Sequence, residues 1–227
     1  MCVNYQTVTP KLLSANFKAP LPEGTEWKSE TWQDYAAPII VGDEQGRHGL
    51  LGLYSMIPKK HIPPGAKRYS TMNARSETIA TLRSYAKPWR DCQLCLVPMM
   101  AYYEPNYESG KAQRWRIAMA DDAPFAVAGL FRSWPEQDGI TAYSFTQITI
   151  NADSHPVLKR FHKPEDEKRS LVVIPADRYD DWLTCRNPEH AQSFLVPFPA
   201  DMYKVQEAPK APTKAAARPA MVNSELF

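Results

Sequence analysis

Long apolar runs are missing from this 227-residue chain: no stretch approaches the roughly 18–20 residues of a membrane span, and the polar N-terminus lacks a signal-peptide core. A soluble, cytoplasmic protein is the expectation. A surplus of one charge is missing as well, since 27 Lys and Arg face 25 Asp and Glu, leaving a net charge of +2. That balance neither demands nor forbids a nucleic-acid partner; what matters is whether basic residues gather on one face. Cysteine is scarce, with four residues at positions 2, 92, 95 and 185 that form no repeating framework, and an intracellular setting disfavours disulfides. HExxH, Walker and GxGxxG motifs are absent, which removes the common signatures of zinc peptidases, phosphate loops and dinucleotide sites. Glycine is sparse: 9 against 21 prolines, both widely spread, implies short elements joined by many turns instead of a helical bundle.

What is present reads first as sheet. Seven stretches have strand character: Ala37–Gly42, Gly49–Ile57, Leu94–Tyr103, Ala112–Ala120, Phe125–Phe131, Tyr143–Ile150 and Leu171–Pro175. Ser76–Lys87 reads as a helix, with Ile79, Leu82 and Ala86 at helical spacing and Pro88 at its end. A second helix is expected from Ala176 to Leu183 or a little beyond. The mixture lacks regular strand–helix alternation, so the fold class is α+β. One domain with a sizeable core is expected over residues 2–205. From about Gln206 the chain becomes Ala-, Pro- and Lys-rich, which cannot bury a core and reads as a disordered tail over 206–227.

The chain begins Met1-Cys2. Removal of Met1, which the small side chain of Cys2 permits, exposes an α-amine and a thiol on one residue. Such a 1,2-aminothiol condenses with aldehydes: the amine forms an imine and the thiol closes a thiazolidine ring. The other short cysteine motif, Cys92-Gln-Leu-Cys95, lies in an apolar stretch, and residues three apart on a strand face opposite sides. With no second CxxC or nearby His pair to complete four ligands, buried structural thiols are the better reading than a metal or redox site.

Several polar residues stand where local structure does not require them. Asn73 and Arg75 fall in the loop leading to the expected helix, Ser76 or Glu77 serves its N-terminus, and Arg83 lies two turns on along the same side. Helix amides and two arginines make a phosphate site; ordinary capping with solvated arginines remains the alternative. Glu104 follows the apolar run Met99-Met-Ala-Tyr-Tyr103, where desolvation would raise its pKa and suit it to proton transfer, unless it is an edge residue paired with a neighbouring base. His162 sits in a charged loop just before an apolar strand and is either a proton relay or a solvated histidine; His155 carries the same ambiguity.

Together these segments resemble the SRAP family, the SOS-response-associated peptidases that process abasic sites. The matching pieces are Met1-Cys2, Tyr35-Ala-Ala-Pro38, Gly52-Leu-Tyr-Ser-Met-Ile-Pro58, Asn73-Ala-Arg-Ser-Glu-Thr78, Tyr102-Tyr-Glu104, Thr149, and the His162 loop running to Arg169. The resemblance implies a single α+β domain with a large mixed, mostly antiparallel, barrel-like sheet flanked by a few helices. It implies a self-processed Cys2 that forms a covalent crosslink with the ring-opened sugar of an abasic site in single-stranded DNA. Asn73 then orients Cys2 and the sugar, Glu104 and His162 serve as acid and base, and Arg75, Arg83, Thr149 and Arg169 hold DNA. No metal or other cofactor is implied, and a bacterial protein of this kind would associate with the nucleoid. Where the family commonly continues Cys-Gly-Arg, this chain has Val3-Asn4, and a family Trp is replaced by Leu51.

Two other functions fit some of the residues. One is a Cys-dependent peptidase acting in trans with His162 as base; the other is a non-covalent single-stranded DNA-binding module in which Cys2 is incidental. The tail ends in Leu226-Phe227, and short apolar termini on disordered tethers serve as hooks, so a replication sliding clamp is an expected partner.

Overall fold

A computed structural model of the chain describes residues 2–210. Met1 and the expected clamp hook at Leu226 and Phe227 lie outside the described residues. The strands are β1 (Tyr5–Thr7), β2 (Glu30–Thr31), β3 (Ala36–Asp43), β4 (Gly46–Tyr54), β5 (Asn73–Arg75), β6 (Leu94–Asn106), β7 (Gln113–Met119), β8 (Phe125–Pro135), β9 (Thr141–Asn151), β10 (Arg169–Leu171), β11 (Val173–Ile174) and β12 (Tyr203–Glu207). The helices are α1 (Pro10–Phe17), α2 (Ala86–Arg90), α3 (Tyr179–Thr184) and α4 (Pro188–Gln192).

Five strands close on themselves in the order β3-β4-β9-β8-β6 and back to β3. Only β4–β9 is parallel within this ring, and the remaining strands attach to its rim, β5 also running parallel to β9. The sheet is therefore mixed, mostly antiparallel and barrel-like, within an α+β fold. Period-2 alternation divides its residues. On β6, Cys95, Val97 and Met99 pack with Ile39, Tyr54, Val127 and Phe145, whereas Leu94 and Leu96 pack with Leu13, Phe17 and Trp182 of the helices. Helices cannot lie inside five strands, so the first set is the barrel interior and the second the seam beneath the helices. Gly129 faces inward where a Cβ would come 2.7 Å from the Thr146 carbonyl oxygen and 2.9 Å from Cys95 Sγ, so only glycine fits that approach. Cys92 and Cys95 take opposite sides, one in each cluster, and both are buried.

The helix expected over Ser76–Lys87 does not form. Asn73–Arg75 pairs as β5 with β9, and the Ser76 N–H continues that pairing to the Thr149 carbonyl at 2.9 Å. Residues 76–85 then run as successive turns, in keeping with their hydroxyl-bearing Ser and Thr residues, whose side chains compete for backbone hydrogen bonds. Pro88 lies in the first turn of α2, where its missing N–H has no intrahelical partner to lose, so it starts a helix instead of ending one. The strand expected at Leu171–Pro175 divides into β10 and β11, which pair with β9 and β8 respectively. β12 pairs with β7 as far as Glu207, carrying the sheet past the expected boundary at residue 205.

Candidate active site around Cys2

The N-terminus is threaded into the barrel mouth as an extra strand. β1 pairs with β6 through Tyr5 and Tyr102, and the Tyr103 N–H donates to the Asn4 carbonyl at 3.1 Å. The Asn4 side chain fastens this segment: Nδ2 donates to the Thr31 carbonyl at 3.2 Å, and Arg114, stacked on Tyr103, donates to Oδ1 at 2.7 Å. Cys2 is only 1% exposed, and its thiol donates to the Asn4 carbonyl at 3.5 Å. Burial, together with the nearby Glu104, pushes the thiol well above the ordinary cysteine range, so it is protonated at rest.

The Cys2 carbonyl is gripped from the other side. Asn73 Nδ2 donates to it at 2.6 Å, and the Tyr54 hydroxyl lies 3.0 Å from it. Asn73 is fixed by its strand pairing opposite Gln147 and by Tyr85, whose hydroxyl donates to the Asn73 carbonyl at 3.0 Å. Asn73 Oδ1 is buried and has no hydrogen-bond partner among the described residues.

Glu104 and His162 meet in the same niche, with His162 Nδ1 3.3 Å from Glu104 Oε2 and both side chains buried. The histidine is delivered by a loop whose backbone turns left-handed at His162 itself, φ 68°, while its N–H donates to the Pro105 carbonyl at 2.8 Å. Burial raises the Glu104 carboxyl to about 7 and lowers the His162 imidazole to about 4. Hydrogen bonding agrees with that direction. His162 Nε2 lies 3.1 Å from the Arg169 carbonyl, which can only accept, so Nε2 carries the proton and Nδ1 is a lone pair facing Glu104. These directions favour a protonated carboxyl beside a neutral imidazole near and below neutrality, an arrangement suited to a general acid.

Of the four residues expected at DNA, Arg75 and Arg83 are exposed and Thr149 and Arg169 are buried. Arg169 donates to both carboxylate oxygens of Glu77, at 2.8 and 2.9 Å, to Glu167 at 2.8 Å and to the Thr149 carbonyl at 2.7 Å. That network ties β9 and β10 to the turns after β5, and it holds the Glu77 carboxyl down to about 2. The expected phosphate site at a helix N-terminus is absent with the helix, and Glu77 pairs with Arg169 instead of capping. Arg75 lies two residues beyond Asn73 on the same strand face and pairs with Glu167 at 2.9 Å. Arg83 opens onto a cleft of about 510 Å³ with His61, Tyr69, Thr71, Arg132 and Trp134. Tyr69 is 67% exposed there, and Trp134 is covered by His61 at 3.9 Å and by the Arg132 guanidinium at 4.0 Å. Thr71 joins the cleft to Asn73, two residues along.

Sequence reasoning missed Tyr54, Gln147 and Arg114. Gln147 did leave a signal, an amide in the apolar strand Phe145-Thr-Gln-Ile-Thr-Ile150. His155, ambiguous in sequence, is buried and accepts from the N–H groups of Val157 and Leu158 through Nδ1, at 3.2 and 3.0 Å, which is a turn-fixing role.

A small mixed barrel thus holds Cys2 buried, with an asparagine on its carbonyl and a carboxyl–imidazole pair nearby. The family model for SOS response associated peptidases (SRAP) matches residues 1–211, and the chain belongs to that family. It is 32% identical over 147 residues to the abasic site processing protein YoaM of Bacillus subtilis, a match covering 62% of this chain and 61% of that protein. The abasic site processing protein YobE of the same organism matches at 32% over 147 residues, 62% of this chain and 64% of that one. The chain thus spans somewhat under two thirds of these relatives. A crystal structure of a Bordetella bronchiseptica protein superimposes with a TM-score of 0.81 at 32% identity, covering 92% of this chain and 100% of that one. A Bacteroides thetaiotaomicron protein, at TM-score 0.72, 17% identity and 92% of each chain, shares the fold. No helix of the described residues is long and apolar enough to cross a membrane.

Proposed function

We propose that, once the Met1–Cys2 peptide bond is hydrolysed, Cys2 captures the ring-opened sugar of an abasic site in single-stranded DNA as a thiazolidine. The observation that carries this reading is the placement of Cys2 between Asn73 and the Glu104–His162 pair in one dry niche. The α-amine adds to the aldehyde carbon to give a carbinolamine. Glu104 gives its proton to the departing hydroxyl, which leaves as water and yields an iminium ion. The Glu104 carboxylate then takes the proton of the buried thiol as sulfur bonds to the iminium carbon, closing the ring and reloading the acid. Asn73 Oδ1 is an unfilled acceptor for a nitrogen or hydroxyl hydrogen of these intermediates.

Affinity comes from outside the niche. In this reading the exposed Arg75 and Arg83 meet phosphates and the exposed Tyr69 ring meets a base, which suits a protein of small net charge that reads the lesion and not the sequence. Buried as they are, Thr149 and Arg169 contribute by holding the rim that carries Arg75. A peptidase acting in trans is less well supported, because a Cys–His dyad needs the imidazole on the thiol, whereas both His162 nitrogens are engaged, by Glu104 and by the Arg169 carbonyl. The sliding-clamp contact at Leu226 and Phe227 stays a separate proposal, checked by clamp pull-down with Ser224–Phe227 deleted.

The test incubates single-stranded DNA carrying one abasic site with wild type, with Cys2→Ala and with an N-terminally blocked form, followed by denaturing electrophoresis. A shifted band for wild type alone is the expected result. A band that survives blocking of the amine, or none with a chain verified to start at Cys2, overturns the proposal.

A further inference from the structure

Tyr54 sits on the inner face of β4, fully buried, its ring stacked on Phe145 at 5.3 Å and met edge-on by Tyr5 at 5.4 Å. Its hydroxyl faces two oxygens, the Cys2 carbonyl at 3.0 Å and Gln147 Oε1 at 2.9 Å, with the Asn73 side chain beside it as well. A phenol has one proton and can donate to one of them at a time. Burial holds this phenol far above the ordinary tyrosine range, so the proton is always present but never sufficient for both. Meanwhile Gln147 Nε2 is buried with no hydrogen-bond partner among the described residues. Turning the Gln147 amide by 180° exchanges its nitrogen and oxygen and resolves both conflicts. The nitrogen then donates to Tyr54, the Tyr54 proton is free for Cys2, and the atom left without a partner is a carbonyl oxygen, which buried sites tolerate better than an N–H.

We infer that Gln147 and Tyr54 form a donor relay, Gln147 Nε2–H to the Tyr54 oxygen and Tyr54 O–H to the Cys2 carbonyl, which with Asn73 makes a two-donor clamp on Cys2. The inference rests on the Cys2 chemistry proposed above and deepens it by adding two positioning residues. The amine, the thiol-bearing Cβ and the carbonyl all branch from one Cα. Locking the carbonyl with two donors from different strands therefore fixes the arcs over which both nucleophiles swing. Asn73, on β5, supplies one donor; Tyr54, on β4, supplies the other; Gln147, on β9, is strand partner to the first and amide neighbour to the second. Each donation polarises the next group along, so the two bonds reinforce one another.

Tyr54→Phe keeps the ring stack and removes the hydroxyl; Gln147→Met keeps the volume and removes the donor. Cys2–Val3 is the single Cys-Val step in the chain, so full-length protein carrying carbonyl-13C cysteine and 15N valine gives one signal that reports the Cys2 carbonyl. Tyr54→Phe moves that carbon upfield as a hydrogen bond is lost, Gln147→Met moves it less in the same direction, and the double variant matches Tyr54→Phe. Crosslinking to abasic single-stranded DNA slows by about fivefold in Tyr54→Phe. A Cys2 carbonyl signal unmoved by Tyr54→Phe, or Gln147→Met shifts that add to those of Tyr54→Phe, would overturn the relay. If wild type forms no crosslink, the proposed function fails while the carbonyl signal still decides the relay.

Discussion

The niche around Cys2 and the cleft lined by Arg83 and Tyr69, whose Thr71 lies two residues before Asn73 in the chain, are built by opposite means. In the niche Cys2, Asn73, Glu104 and His162 are all buried, and burial decides where protons sit: on the thiol, on the carboxyl, and off the imidazole's Nδ1. In the cleft Arg83 and Tyr69 face water, where charges are screened within about 8–10 Å at physiological salt and no proton needs placing. Low dielectric strengthens every interaction in the first region and exposure weakens those in the second. On the function proposed above, chemistry belongs to the first and adjustable, salt-sensitive affinity to the second.

The comparison breaks most completely at Cys2. Cys2→Ala is expected to abolish the denaturation-resistant DNA band while leaving non-covalent binding, measured by fluorescence anisotropy, nearly unchanged. Glu104→Gln comes next, slowing adduct formation by about 100-fold or more, the usual worth of a placed acid. It should also stabilise the fold at alkaline pH. Because the folded-state value of Glu104 is raised from 4.5 to about 7, folding binds its proton more tightly, and that contribution is lost as pH rises through this window. His162, lowered from 6.5 to about 4, works the other way, its contribution being lost as pH falls through that interval. At pH 8 the glutamine variant, which mimics the protonated acid, should unfold at higher urea, by up to about 3 kcal/mol, with the gain gone below about pH 4.5.

Removing one partner from the buried network on the rim gives a stability effect of similar size without touching the chemistry. Arg169→Met is expected to cost about 3 kcal/mol in urea unfolding and to release the Glu77 carboxyl upward from about 2. Crosslinking per folded molecule should fall only modestly; a loss as deep as that of Glu104→Gln would mean Arg169 acts on the substrate. The smallest effect lies in the cleft. Arg83→Ala should weaken binding several-fold and flatten the salt dependence by about one phosphate contact, with the crosslinking rate recovered at saturating protein and low salt. An Arg83→Ala defect that persists at saturation would move this arginine from the wet region into the dry one.

Much of the dry region was legible because its residues break local patterns. A cysteine at position 2, a carboxylate at the end of an apolar strand and a histidine before another each stand out in one dimension. The leading segment of the expected helix was misread because its apolar spacing fits a helix as well as it fits turns. The backbone partner that decided the matter, the Thr149 carbonyl, lies far along the chain. Thr149 and Arg169 carried the right types for phosphate binding, but burial is a property of neighbours and not of type. The pairing of Tyr54 with Gln147 was missed for a related reason, since a tyrosine and a glutamine on separate strands have no shared sequence signal, even though the Gln147 amide stands out in its apolar strand.

The sequence by itself determined the sheet-rich α+β class, the opposite sides taken by Cys92 and Cys95, and the presence of a cysteine at position 2, because alternation and position are local facts. Tertiary structure alone decided that the five-stranded ring closes and that the N-terminus is drawn into its mouth. It also decided that Glu104 and His162, distant in sequence, come within 3.3 Å of each other in one buried niche. The physical reason is that desolvation and hydrogen-bond geometry are set by whatever surrounds an atom, and here nearly all of those surroundings come from other strands.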